Sequence, residues 1–236
     1  MKRIAIACVR AVANVPLKIK VSFGILVFAM LMAIIKSRPD GTWCLFAVLF
    51  CFAGDIALNH TKDRRKRSSR DFMVGMVLFS IAHILYSITY FLRIYYEHSY
   101  LLESGYNWTL FLCIDCVLFL AFFSIMNENM ILGKYYVAVF VYTIVIMTTF
   151  TMTFFYANSA KSISSWACLG SALLIVSDGV IAVEKFTNYE TKKTRAIVWF
   201  SYVIGQLIMI TFAWSSKPIP KGVNAQSKKM VAYSKG

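Results

Sequence analysis

Two aspartates stand inside long apolar stretches of the sequence. Asp55 follows Gly54 in LFCFAGDIAL, and Asp178 follows Ser177 in LIVSDGVIAV. A charged aspartate at the centre of a membrane costs about 2.5–3.5 kcal/mol, so such residues rarely face lipid. Gly54 and Ser177 are small, which lets a neighbouring helix or a ligand approach closely. Two carboxyl groups in one water-filled pocket could act together, one as the general acid and the other as the general base. The structural alternative is interhelical hydrogen bonding that only fixes the bundle.

Further polar residues stand in other apolar stretches. His83 and Tyr86 are three residues apart, so they share one face of a helix. Tyr202 and Gln206 lie in the last stretch, and Lys20 lies at the start of the first. An ordinary explanation exists for each: a hydrogen bond to a neighbouring helix or, for Lys20, a snorkelling side chain. Near two aspartates we favour a pocket, with Lys20 placed to meet a phosphate.

The composition indicates which elements must position these residues. Of 236 residues, 59% are hydrophobic and 15% charged, whereas soluble domains carry about 25% charged residues. A membrane-spanning helix takes about 20 mostly apolar residues. Helices that are apolar all round would leave a soluble bundle without a polar surface. We therefore predict an all-α polytopic transmembrane bundle with seven spans: 21–35, 43–58, 72–92, 108–126, 135–156, 166–183 and 196–214.

These spans divide the chain into three parts. Residues 1–20 are predicted to form a short basic N-terminal helix that lies in the interface or spans in part. Residues 21–214 form a single membrane-embedded catalytic bundle, and residues 215–236 form a basic flexible tail.

Seven spans alternate the loops between the face of the N-terminus, called face X here, and the opposite face Y. Lys and Arg are more abundant on face X, which predicts that X is cytoplasmic. The net charge of +14 is then explained by basic loops on the cytoplasmic side and does not indicate nucleic-acid binding. The same threading brings the polar residues of five spans to the X half of the membrane, whereas Asp115 lies nearer face Y and outside the site. The polybasic loop on face X is predicted to touch anionic lipid headgroups through Lys62, Arg64, Arg65, Lys66, Arg67 and Arg70.

Several kinds of site are excluded by the absence of their motifs. The chain has no phosphate-binding loop, no dinucleotide-binding glycine motif and no nucleophile elbow. It has three histidines, and His98 falls on face Y, which excludes a three-histidine zinc site. Metal binding by Asp55, Asp178 and His83 remains an open alternative. We expect no metal and no cofactor.

The motifs in their order resemble the YhhN-type lysoplasmalogenases. The matching residues are Gly54-Asp55, Ala82-His83 with Tyr86, Ser177-Asp178, and Tyr202 with Gln206, over roughly residues 18 to 214. Lys20 is followed by Val21, where family members usually have Lys-Pro, and the family pattern has eight spans.

The resemblance implies a membrane hydrolase that cleaves the vinyl ether bond of lysoplasmalogen to a free aldehyde and a glycerophospho-alcohol. It implies catalytic roles for Asp55, Asp178 and His83, with either aspartate as the acid. The substrate would be a lysophospholipid from the bilayer, and a site in the cytoplasmic half suits an internal membrane such as the endoplasmic reticulum. The substrate-binding residues would be Lys20, Tyr86, Tyr202 and Gln206.

Three alternatives stay open. A transporter or channel could use the same acids, but it predicts polar residues through the full membrane depth and usually an internal repeat. A zinc-dependent lipid hydrolase of seven spans predicts sensitivity to chelators. A non-catalytic lipid protein predicts binding without turnover.

Overall fold

The computed structural model describes residues 16–36, 41–58, 69–97, 105–129, 133–159, 165–187 and 191–215. All regular structure in these residues is helical, as the sequence predicts, and they contain no strand. Residues 1–15 and 216–236 lie outside the described residues, so the three-part division of the chain stays a prediction. The helices are α1 (Leu17–Lys36), α2 (Gly41–Leu58), α3 (Ser69–Glu97), α4 (Gly105–Asn129), α5 (Tyr136–Ser159), α6 (Ser165–Phe186) and α7 (Lys192–Ser215), with a 3-10 turn at Gly133–Tyr135.

Six of the seven helices form a closed ring. Helix α1 packs on α2, α2 on α3, α3 on α5, α5 on α6, α6 on α7, and α7 returns to α1. Helix α4 packs on α5 from outside the ring. The interior of the ring is therefore shared by six helices, and a side chain directed inward from any of them can meet side chains from the others.

Contacts at the two ends of the ring agree with antiparallel threading. At the Y end, the Arg93 guanidinium of α3 donates to the Ala213 carbonyl of α7. At the X end, the Thr194 hydroxyl at the start of α7 donates to the Glu184 carboxylate at the end of α6, at 2.6 Å. The Y contact thus joins the ends of two helices that both run from X to Y, and the X contact joins the end of α6 to the start of α7.

Apolar residues cover the outside of the ring and polar residues fill part of its inside. Ile34, Ile35 and Val137 are about 70% exposed. Asp55 and Gln206 are buried, together with several threonines and serines. This distribution is the reverse of that in soluble proteins, and it indicates a multi-pass membrane protein.

Helix α4 differs from the predicted span 108–126. The described residues contain six helices long and apolar enough to cross a membrane, one fewer than predicted, and these six are the ring helices. The side chains of α4 are described over Thr109–Ser124, an apolar stretch shorter than each of these six. The helix itself runs over 25 residues, Gly105–Asn129, and contains the whole of the predicted span.

Helix α1 begins four residues before the predicted span at Val21. The Pro16 carbonyl accepts hydrogen bonds from the backbone N–H groups of Ile19 and Lys20, at 3.0 and 3.2 Å, and so opens the first turn. Proline suits this position because the first N–H groups of a helix have no helical partner. Because α1 begins at Leu17, both Lys18 and Lys20 belong to the helix. Their positions along it determine which of the two side chains points into the bundle.

Helices α6 and α7 approach closely because small residues face each other. A Cβ atom on Gly205 would lie 2.9 Å from the Gly170 carbonyl oxygen, so only glycine fits there without a shift. Nearer face X, the Ser177 hydroxyl donates to the Val198 carbonyl at 3.3 Å. The prediction that Ser177 allows a close helix neighbour agrees with this contact, which fixes the segment that carries Asp178.

Candidate active site

Asp55 is buried in the ring between α1, α2 and α7. Lys18 Nζ lies 2.7 Å from its Oδ1 atom, and the Ser22 hydroxyl donates to its Oδ2 atom. The Tyr202 hydroxyl also bonds to the carboxylate, and Lys18 Nζ lies 5.8 Å from the centre of the Tyr202 ring. A cation and two hydroxyl donors stabilise the ionised form of a carboxyl group. This group of residues is called the Asp55 cluster.

Lys18, rather than the predicted Lys20, is the lysine of this cluster. Lys18 and Ser22 are four residues apart and share one face of α1, whereas Lys20 lies on nearly the opposite face and is exposed. The sequence-based assignment placed Lys20 where the first span leaves face X, and the sequence alone did not show which face of the helix is turned inward.

Asp178 lies on the opposite side of the ring interior, between α3, α5 and α6. Its Oδ2 atom accepts the Tyr142 hydroxyl at 2.5 Å and lies 3.4 Å from His83 Nε2. The His83 and Tyr142 rings meet edge to face, with centres 6.1 Å apart. The other ring nitrogen of His83, Nδ1, is buried and has no hydrogen-bond partner among the described residues. These three residues are called the Asp178 cluster.

A third group of polar residues lies between the two clusters. The Tyr86 hydroxyl donates to Gln206 Oε1, and Gln206 Nε2 donates to Cys51 Sγ at 3.1 Å. The Cys51 thiol is close enough to both Asp55 and Asp178 to experience the charge of each. Tyr86 and Gln206, both predicted, therefore belong to a chain of contacts that connects α2, α3 and α7.

An apolar cavity leads from face X to Asp178. Together with its open mouth it comprises about 580 Å³ of non-atom space, and hydrocarbon and aromatic side chains form most of its wall. Asp178, Tyr142 and Thr143 supply its polar groups. On α6 the lining runs from Phe186 at the X end to Asp178 at the inner end, about 12 Å along the helix at 1.5 Å per residue. The cavity can therefore deliver an apolar molecule to a carboxyl group.

Comparison with known proteins decides the family. The model of the YhhN family matches residues 16–213, which include all seven described helices nearly to their ends. The chain belongs to the YhhN family. The resemblance inferred from Asp55, His83, Asp178 and Gln206 is thereby confirmed at the level of the family. No curated protein and no solved structure matches the chain.

In this YhhN chain, all six ring helices direct polar side chains to the site. Of the predicted residues, Asp55, His83, Tyr86, Asp178, Tyr202 and Gln206 are in the interior, and Lys20 is not. Asp115 is separate, as predicted: it accepts hydrogen bonds from Thr148 and Thr151 at 3.3 and 3.0 Å, on the outer side of α5.

Sequence reasoning missed four residues of the YhhN site: Lys18, Ser22, Cys51 and Tyr142. The four-residue spacing of Lys18 and Ser22 was a usable signal, because Ser22 is the one hydroxyl residue in the first span. Tyr142 carries no such signal, since tyrosine is common in apolar helices and its partners come from distant parts of the sequence.

The expectations about metal binding and about contacts with lipid headgroups remain predictions. Among the described residues, no group of three or more His, Cys, Asp or Glu side chains is placed to hold a metal ion. Of the basic residues predicted to touch lipid headgroups, Arg70 lies in the first turn of α3, and Lys62, Arg64, Arg65, Lys66 and Arg67 lie outside the described residues.

Proposed function

We propose that this YhhN protein is a lysoplasmalogenase-like hydrolase, which cleaves the vinyl ether bond of lysoplasmalogen to a free aldehyde and a glycerophospho-alcohol. The observation that carries the proposal is a pair of aspartates inside the ring with unlike partners: Asp55 is buried, and Asp178 lines an apolar cavity. Asp55 has a lysine partner, and Asp178 has a histidine and a tyrosine at the inner end of the cavity. Vinyl ether hydrolysis needs a proton donor and a stabilised cation, and it needs no metal or cofactor.

The partners assign different roles to the two aspartates. The Lys18 ammonium and two hydroxyl donors contact the Asp55 carboxyl group and complement a negative charge there. Asp178 shares its Oδ2 atom between Tyr142 and His83 and lines the cavity. The proton donor is therefore the His83–Asp178 pair, and Asp55 supplies a fixed negative charge. Glycosidases divide acid and carboxylate roles between two residues in a similar way.

The reaction proceeds in three steps. The His83–Asp178 pair gives a proton to the terminal carbon of the vinyl ether, and an oxocarbenium ion forms at the carbon bonded to oxygen. Water adds to that carbon and returns a proton to the pair, which leaves a hemiacetal. The bond from this carbon to the glycerol oxygen then breaks as that oxygen gains a proton, and the hemiacetal hydroxyl becomes the aldehyde. Overall, the three steps consume one molecule of water.

The Nδ1 atom of His83 is suited to bind a water molecule. It is buried and lacks a protein partner among the described residues, and an unsatisfied buried polar atom is costly. Because Nε2 faces Asp178, a water at Nδ1 would lie across the imidazole from that carboxyl group. The Tyr86 ring meets the imidazole edge to face, with ring centres 6.4 Å apart.

The proposal includes a location. More positive loops on face X favour a cytoplasmic X face, and the site lies in that half of the bundle. The lysophospholipid would come from the cytoplasmic leaflet of an internal membrane such as the endoplasmic reticulum, with the polybasic loop on anionic headgroups.

The deciding experiment measures aldehyde release from lysoplasmalogen by the purified protein in detergent. We expect turnover in the wild type, and a loss of about 10²–10⁴-fold in Asp178→Asn, the range for removal of a general acid. Asp55→Asn should also lose most turnover. Thermal unfolding shows whether each variant remains folded.

The same assay separates the competing activities. Equal cleavage of an ester lysophospholipid would redirect the assignment to a lysophospholipase. Chelator-sensitive turnover would favour the zinc-dependent alternative. Full activity in a folded Asp178→Asn protein would remove the proposed mechanism.

A further inference from the structure

Three aromatic rings surround the X mouth of the cavity. Phe72 of α3, Tyr135 before α5 and Phe186 at the end of α6 contact one another, with ring centres 5.5–5.7 Å apart. Phe72 and Phe186 also line the cavity. The three residues are called the mouth cluster. They bring together three helices that are distant in the sequence.

Two lysines stand over the mouth cluster. Lys134 Nζ lies 5.5 Å from the Tyr135 ring centre, and Lys185 Nζ lies 5.6 Å from the Phe72 ring centre. Lysines near helix ends commonly snorkel to the interface or complement the helix dipole. The Lys185 side chain does not only extend toward the interface. It crosses from α6 to the Phe72 ring of α3, which is part of the cavity wall. The mouth therefore carries two positive charges on an apolar rim.

The spacing along α6 links this mouth to Asp178. Lys185 and Asp178 are seven residues apart, which is two helical turns, so they share a face about 10 Å apart along the axis. Ala182 lies between them on the cavity wall. In a lysoplasmalogen, the phosphorus and the vinyl ether carbons are separated by a glycerol unit, roughly 8 Å when extended with bonds near 1.5 Å. The axial spacing of the two residues is of the same order as this length, and the lysine side chain adds reach at the phosphate end.

We propose that Lys134 and Lys185 bind the phosphate of the lipid substrate at the cavity mouth while its vinyl ether reaches Asp178. This inference rests on the proposed hydrolase function and names its headgroup site. The apolar wall would exclude a charged phosphate from the interior, because burying an unpaired charge is costly. The phosphate thus stops at the mouth and sets the depth of the vinyl ether.

The kinetic test compares two substrates with the same vinyl ether chain. One is the phosphoethanolamine lysoplasmalogen, and the other is the 1-alkenylglycerol, which has no phosphate. We expect the Lys134→Gln/Lys185→Gln variant to raise KM for the first about tenfold and to leave the second unchanged. Replacement of both lysines by arginine should restore KM. The control is Lys193→Gln, an exposed lysine at the X end of α7, which should change neither substrate.

Two kinetic outcomes would overturn the phosphate site. An equal loss for both substrates would mean that the lysines only support the fold. A loss in Lys20→Gln with none in the double variant would move the phosphate contact to α1.

A binding test separates failure of this site from failure of the hydrolase assignment. The ligands are an alkyl ether lysophosphatidylethanolamine, which has no vinyl bond to cleave, the matching 1-alkylglycerol, and water-soluble glycerophosphoethanolamine. The wild type should prefer the phosphate-bearing lipid, and the double variant should lose that preference. If this preference is found but no hydrolysis is measured, the hydrolase assignment is wrong and the phosphate site is retained. Equally tight binding of glycerophosphoethanolamine would point to a free phosphate ester and overturn the lipid headgroup proposal.

Discussion

Lys18 and Asp55 form an ion pair inside the ring, with 2.7 Å between Nζ and Oδ1. The lysine side chain is 22% exposed and the aspartate side chain 1% exposed, so the pair is anchored in the interior and reaches toward face X through the lysine. Asp178 has no lysine or arginine among its contacts in the described residues. The sequence presents the two aspartates as equivalents, and this ion pair makes them different.

Breaking the Lys18–Asp55 pair should destabilise the protein more than removing both charges. Lys18→Gln leaves a buried carboxylate without its cation, which costs about 3–5 kcal/mol for a fully buried pair and less here because the lysine is partly exposed. The Lys18→Gln/Asp55→Asn double variant leaves no such charge. Thermal unfolding of the two single variants and the double variant measures the coupling.

Lys20→Gln is the matched control for this cycle, since Lys20 is an exposed lysine on the same helix. It should change stability by no more than about 0.5 kcal/mol. Strictly additive effects of Lys18→Gln and Asp55→Asn would contradict the ion pair.

The fold and much of the site follow from the sequence for identifiable reasons. Length and apolarity locate the ring helices. Antiparallel threading then places Asp55, His83 and Asp178 in one half of the bundle. Aspartate and histidine in such surroundings are informative because burying them in lipid is costly.

Other parts of the site could not be predicted because they depend on helix rotation and packing. Whether Lys18 or Lys20 faces inward depends on where α1 begins, which is set by Pro16. Tyr142 becomes a site residue through the packing of α5 on both α3 and α6. The position of α4 outside the ring likewise depends on which helices close it, and hydropathy alone does not give that order.

Tyr142→Phe tests the hydroxyl that Asp178 accepts. The ring and its contact with His83 remain, and one hydrogen bond to the carboxyl group is lost. We expect kcat to fall about 10–100-fold, the range for a bond to a charged group. Tyr136→Phe, an exposed tyrosine on α5, is the control and should keep wild-type turnover. Wild-type kcat in Tyr142→Phe would remove Tyr142 from the site.

Gly54→Ala tests the close packing beside Asp55. A Cβ atom there would lie 2.9 Å from the Phe79 ring, whose other neighbour is the Tyr202 ring at 6.3 Å between centres. The substitution must displace Phe79, and overpacking of this kind costs about 1–3 kcal/mol. Gly24→Ala is the control, because no atom lies within 4 Å of a Cβ at Gly24. It should stabilise α1 slightly. Equal unfolding temperatures for the two variants would contradict the Phe79 contact.

Gly179→Leu tests whether the cavity admits the substrate. Gly179 lines the cavity beside Asp178, and a Cβ atom would lie 3.6 Å from the Phe122 ring of α4. Gly179→Ala therefore fits without displacing Phe122, whereas a leucine side chain extends into the open space. We expect kcat/KM to fall at least about tenfold in Gly179→Leu, equivalent to about 1.4 kcal/mol, and to change little in Gly179→Ala. Unchanged kcat/KM in a folded Gly179→Leu protein would place the substrate elsewhere.

Asp115→Asn tests whether every aspartate in an apolar helix is needed for catalysis or whether some only form structural hydrogen bonds. Asp115 accepts a hydrogen bond from Thr148 at Oδ2 and one from Thr151 at Oδ1. An asparagine keeps one acceptor oxygen, and its amide N–H can donate to the other hydroxyl oxygen. Because Asp115 lies outside the ring and contacts the outer side of α5, we expect turnover within about twofold of the wild type and a stability change of no more than about 1 kcal/mol. Aldehyde release and thermal unfolding, measured beside Asp178→Asn, check both. A loss of turnover like that of Asp178→Asn would mean that α4 supplies a catalytic group as well as the Phe122 ring of the cavity wall.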